Sequence, residues 1–146
     1  MSSPNLTDAQ REALKAIVLG QRSEAREATR QRLATLGHIY RPAGARPLPT
    51  AEGARKAAFY LEREVDVSAW VRAEGVAGRA RQVRDRAWTD VSLACHEVWQ
   101  PHHLAKVDAR RMHFDAVEAV YVAALKAEAS ARDEVLAVLR AGGGAR

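Results

Sequence analysis

The chain has 146 residues, 47% of them hydrophobic but only 5% aromatic, with a formal charge of +5 and a sequence pI near 9.9. That length suits one domain or two small units sharing a core, and the hydrophobic fraction excludes a compositionally disordered chain. The single cysteine, Cys95, excludes an intrachain disulfide and a cysteine-based metal knuckle.

Ala and Arg are abundant while Ile, Thr and Tyr are scarce, which favours helix over sheet. Ala, Leu and Val must therefore do most of the packing. The basic balance points towards a polyanionic partner, although 18 acidic residues are mixed in and no block of five like charges occurs. The opening MSSPNLTDAQ lacks a basic region followed by an apolar run, so no signal peptide is expected. No uncharged stretch approaches the ~18–20 residues that cross a bilayer. The expectation is a soluble, cytoplasmic protein without a membrane partner.

In chain order, Thr7-Asp8-Ala9-Gln10 reads as a capping box opening a first helix, with Leu14, Ile17 and Val18 as its apolar stripe and Gly20 at its end. Ser23 is the expected cap of a second helix. Its inward face is Ala25, Thr29 or Ala28, Leu33 and Leu36, and its outer side carries Arg22, Arg26, Arg30, Gln31 and Arg32. Gly37 supplies the left-handed stop. Ile39 and Tyr40 make a brief strand, and Arg41 to Pro47 a turn-rich loop holding Arg41 and Arg46. Thr50 caps a third helix with Ala54, Ala57, Ala58, Leu61 and Tyr60 on its apolar side. A softer region follows, in which Ser68 opens a short segment with Trp70 and Val71, and Gly75 and Gly78 mark a joint.

From Arg79 to Trp99 the apolar residues Ala80, Val83, Ala87, Val91, Ala94 and Val98 recur at steps of three and four, close to a heptad. Pro101 breaks the ladder, and a second long helix starts near His102 with a kink expected near Ser130. The domain reading is a module over 1–65, a joint over 66–78, a helical hairpin that can dimerise or take a protein partner over 79–141, and a disordered tail over 142–146. The fold class expected is mainly α, a trimmed winged-helix module with a small β wing followed by a long antiparallel helical hairpin.

Leu6-Thr7-Asp8-Ala9-Gln10, the run Arg32-Leu33-Ala34-Thr35-Leu36-Gly37-His38-Ile39, and Pro49-Thr50-Ala51-Glu52-Gly53 occur in the order and spacing of a winged helix. Over about residues 6–60 the chain resembles winged helix-turn-helix repressors of the MarR and PadR type. Only Gln21 and Arg22 separate Gly20 from Ser23, which leaves no room for the middle helix of a full helix-turn-helix, so the module is a trimmed version. The resemblance implies a DNA-binding regulatory protein without catalysis. Arg22, Arg26, Arg30, Gln31 and Arg32 would then face a duplex, with Arg41 and Arg46 in the wing. Arginine suits that task because its planar fork pairs with guanine or phosphate through two bonds at once. The competing reading is a helical protein-interaction or assembly component, as in a larger complex or a phage-type assembly, whose winged unit is a docking face.

His96, His102, His103 and His113, with Glu97, Asp108 and Asp115, gather metal-ligand chemistry within twenty residues, but without HExxH or another fixed-spacing motif, so no metal is assigned. Cys95 and His96 project about 100° apart on a helix and cannot pair as nucleophile and base, which leaves Cys95 a small buried hydrophobe. No P-loop, GxSxG or dinucleotide fingerprint occurs, and no cofactor is expected. His38 reads as a cation at a helix end.

Overall fold

A computed structural model describes residues 5–97 and 103–142. The element order is α1 (Asp8–Val18), α2 (Glu27–Thr35), β1 (Ile39–Tyr40), β2 (Leu48–Pro49), α3 (Ala51–Tyr60), α4 (Ser68–His96) and α5 (His103–Ala141). The chain is mainly helical, with a two-stranded antiparallel sheet and a long C-terminal helical pair. It divides into two compact units, one of Met1–Val71 with Ala131–Arg146 and one of Arg72–Ser130.

The first unit is built from helix ends that the sequence specifies locally. Thr7 Oγ1 accepts the Gln10 amide at 3.3 Å while Gln10 Oε1 accepts the Thr7 amide at 3.0 Å, closing the capping box of α1. α2 starts later than its expected Ser23 cap. Ser23 Oγ instead accepts the amide of Ala25 at 3.3 Å, a local turn that holds the chain out of helix. Arg26 becomes the N-cap residue, with no side-chain bond to the helix. No helix lies between Val18 and Glu27, where the short spacing from Gly20 to Ser23 leaves no room for one.

Gly37, at φ +78°, ends α2 in a Schellman motif: its amide bonds to Ala34 O and the His38 amide to Leu33 O, each at 3.0 Å. The chain then pairs Ile39 with Pro49 and Tyr40 with Leu48. Thr50 joins hairpin and helix, its Oγ1 accepting the Gly53 amide at 3.1 Å and donating to Gly37 O at 2.7 Å. The last residue of the Thr-x-x-Gly pattern must be glycine, because a Cβ at Gly53 would lie 1.9 Å from His38 O. α3 turns a face of small residues, Ala51, Gly53, Ala54, Ala57 and Ala58, into the core and packs on α1.

Leu14, Val18, Leu33 and Trp70 are fully buried in this core, joined by Val135, Leu136 and Leu139 from the end of α5. Each such aliphatic side chain contributes about 1.5–3 kcal/mol on burial. The Arg63 guanidinium donates to Leu139 O and ties α5 to the residues after α3. Of the two alternatives for the inward face of α2, Thr29 is half-buried and Ala28 is exposed. His38 is 2% exposed, and burial, with Lys56 nearby, pushes its imidazole below its ordinary pKa. It is a neutral core residue and not the helix-end cation its position suggests.

The second unit is the helical pair. Trp88 stacks near Phe114 with ring centroids 5.1 Å apart, Arg84 lies 4.7 Å over the Tyr121 ring, and Glu97 pairs with Lys106. Numbers rise on α4 as they fall on α5, so the two run antiparallel. The seam on α4 comprises Ala77, Ala80, Arg84, Ala87, Val91 and Ala94, alternating steps of three and four. Val83, expected in that seam, is 47% exposed. Arg84 takes the place, its stem packed inward and its guanidinium on Tyr121. α4 also runs unbroken through Gly75 and Gly78, and α5 through Ser130. A helix held on both sides of such residues tolerates the ~1 kcal/mol preference of glycine for other conformations. Cys95 is exposed rather than buried. Val98, Trp99, the Pro101 turn, His102 and the tail beyond Gly142 lie outside the described residues.

Candidate nucleic-acid interface

The charge is unevenly shared. Between residues 72 and 130 nine Lys or Arg oppose eight Asp or Glu, so nearly all of the +5 excess belongs to the first unit. Within that unit most of the basic side chains fall into two groups. Arg11, Lys15, Arg41, Arg55 and Arg132 are paired with Asp8, Glu12, Glu27, Glu52 and Asp133. The Arg55 pair is bidentate, and its hydrogen bonds to Glu52 hold that guanidinium above its usual pKa. Arg22, Arg26, Arg32 and Arg46 have no hydrogen-bond or ion-pair partner among the described residues, and Arg30 and Arg140 donate only to backbone carbonyls.

The residues that the sequence singles out therefore separate. Arg41, just past β1, is tied to Glu27 at the start of α2 through both carboxylate oxygens. Arg26, Gln31 and Arg32 are exposed. Arg30 and Arg32, two residues apart, point about 160° from one another, so α2 does not present one continuous basic face. Arg22, Arg30 and Arg46 do come together. They line a cleft of about 490 Å³ between the segment after α1, the side of α2 and the second arm of the β1–β2 hairpin.

Arg140, from the last turn of α5, completes that cleft, and no sequence signal marked it. Its Nε donates to Val18 O at 3.2 Å, the carbonyl end of α1. Its guanidinium lies against Gly20, where a Cβ would sit 3.1 Å from its atoms. Arg30 Nη2 donates to Ser23 O at 3.0 Å. Each bond aims a guanidinium while leaving other N–H groups unused. Ile17, Leu48 and Pro49 supply apolar wall, and no Asp or Glu is among the lining residues.

The histidine cluster is dispersed. His96 Nδ1 lies 2.7 Å from Ser92 O, His103 is buried and His113 is exposed, while His102 lies outside the described residues. Among the described residues no three His, Cys, Asp or Glu are grouped as metal ligands, and no helix is long and apolar enough to cross a membrane. Protein-family models, curated proteins and solved structures give no match to this chain.

Proposed function

We propose that the protein is a non-catalytic, DNA-binding regulatory protein whose first unit, a trimmed winged helix, contacts double-stranded DNA. The observation that carries this reading is the set of arginines left without carboxylates on α2, the loop before it and the wing: Arg22, Arg26, Arg30, Arg32 and Arg46. Arginines held by neighbouring acids must break those pairs before meeting a phosphate; these five need not. They lie on or beside consecutive elements, α2 and the hairpin that follows it, and Arg22, Arg30 and Arg46 border one cleft. Without a helix between α1 and α2 to brace a reader in the groove, phosphate contacts carry most of the affinity, and binding falls steeply with salt.

A mobility-shift titration on random duplex at about 50 mM salt tests this. Binding is expected, and Arg26→Ala with Arg32→Ala, both outside the cleft, should lower the salt slope by roughly 2. No binding to duplex or single strand at that salt would sink the reading.

A second reading, that the hairpin is an assembly surface, has its own support. A two-helix pair buries one seam, yet the flanks of this one stay apolar: Val76, Val83 and Trp88 on α4, and Leu104, Val120 and Leu125 on α5, are all more than 40% exposed. Such flanks belong to bundles of more than two helices. The near balance of charge in 72–130 lets a second copy approach without repulsion. Sedimentation equilibrium should then give a dimer, and a monomer at all concentrations rules it out.

A further inference from the structure

We infer that the arginine cleft of the first unit is a binding site for a diphosphate group. Four guanidiniums, those of Arg22, Arg30, Arg46 and Arg140, border a space of about 490 Å³ with no carboxylate in its lining. Arginine stays protonated at every accessible pH, so the cleft carries four permanent positive charges. A lone carboxylate would neutralise one of them. A diphosphate brings up to three or four charges and several acceptor oxygens in tetrahedral arrays, matching several forks at once.

The site is built in advance. Arg30 is held by Ser23 O, and Arg140 by Val18 O and its flat packing on Gly20, so both are aimed before any ligand arrives. Such preorganisation lowers the entropy lost on binding. Arg22 and Arg46 also line the cleft, are exposed and have no partners among the described residues, so their guanidiniums remain available to the anion. Ser23 Oγ accepts the Ala25 amide and still has its own proton to donate. The volume lies in the range of ordinary small-molecule sites, and Ile17, Leu48 and Pro49 offer apolar wall for a ring attached to the phosphates.

Two sources present phosphate oxygens to such a cleft: a free nucleoside diphosphate, or the separate phosphodiesters that follow one another along a nucleic-acid backbone. The site stands on its own geometry and does not require that the protein bind duplex. Isothermal titration with sodium pyrophosphate at low ionic strength should show saturable one-site binding. The same ligand should raise the unfolding temperature in step with the logarithm of its concentration. Arg22→Gln with Arg46→Gln should weaken binding by about tenfold for each arginine, because each loses charge-assisted hydrogen bonds. Neither residue has an intramolecular partner among the described residues, so the variant's unfolding temperature in ligand-free buffer should equal that of the parent. If excess pyrophosphate strips duplex from the protein, the source is the backbone; if duplex stays bound, or never binds, the source is a free diphosphate. Heat no greater than that of sodium chloride at equal ionic strength, or pyrophosphate binding unchanged in the double variant, overturns the assignment.

Discussion

Gly53→Ala adds one methyl group to the first turn of α3, at a point where there is no room for it. Its carbon would sit 1.9 Å from His38 O, whereas ordinary contact begins near 3.4 Å, so the two backbones must part by roughly 1.5 Å. The obstacle is main chain and cannot rotate away. His38 O also accepts the Thr50 amide at 3.1 Å, and Gly37 O accepts Thr50 Oγ1 at 2.7 Å, so parting them strains the joint between wing and helix. Overpacking costs about 1–3 kcal/mol, and each hydrogen bond lost adds about 1 kcal/mol. The sum, about 3–5 kcal/mol, is a large part of a typical domain's stability. At ~2–4 °C per kcal/mol for a chain of this size, unfolding followed by circular dichroism should begin about 10 °C lower. Gly78→Ala is the control. It too lies in a helix, but nothing is within 4 Å of the added carbon, so the variant should be stabilised by about 1 kcal/mol. A loss below about 1 kcal/mol for Gly53→Ala would refute the close approach.

Two further substitutions test particular residues. Glu62 sits at φ 54° just past the end of α3, a left-handed conformation that costs a residue with a Cβ about 1–2 kcal/mol. Glu62→Gly should therefore be more stable than Glu62→Ala by about 1 kcal/mol in urea unfolding, and equal stability would mean that the turn is not held there. His38 is kept neutral mainly by burial, and its folded pKa lies below that of the unfolded chain. The unfolded state then binds more protons in the window beneath about 6.5, so stability is full above that pH and falls as acid is added. His38→Gln should flatten this acid limb, and an unchanged limb would assign it to other groups.

Helix ends were legible because their causes are local. Thr7 with Gln10, Gly37, and Thr50 with Gly53 each act within four residues, and each stands where its spacing puts it. Ser23 shows the limit of that logic: a serine can cap a helix or bend the chain two residues on, and the second bond formed. The seam of the hairpin was legible in period but not in detail. Val83 and Arg84 are neighbours, and hydropathy alone chooses the valine. The register is set instead by Ala87, Val91 and Ala94, which carry Arg84 inward, and Tyr121 across the seam receives its charge. Gly75 and Gly78 look like a joint for the same reason: their preference is local, while the packing of Ala77 and Ala87 on either side of Gly78 is not.

The candidate site divides along the same line. The sequence marks Arg22 and Arg30 as part of a basic helix side and Arg46 as part of the loop after it, yet periodicity on α2 cannot bring the three together, since Arg22 and Arg46 are not on it. What joins them is the non-helical segment after α1, which lines the cleft together with the second arm of the hairpin. Arg41 is the reverse case, a hairpin-loop arginine whose charge is already taken by Glu27, fourteen residues back. Arg140 could not be named, because its place depends on Val135, Leu136 and Leu139 inserting into the core of the first unit and bringing the last turn of α5 to Val18. Whether an arginine is available to a ligand is decided by which carboxylates and carbonyls the tertiary fold sets beside it. Charge counted along the chain finds the unit; only pairing finds the site.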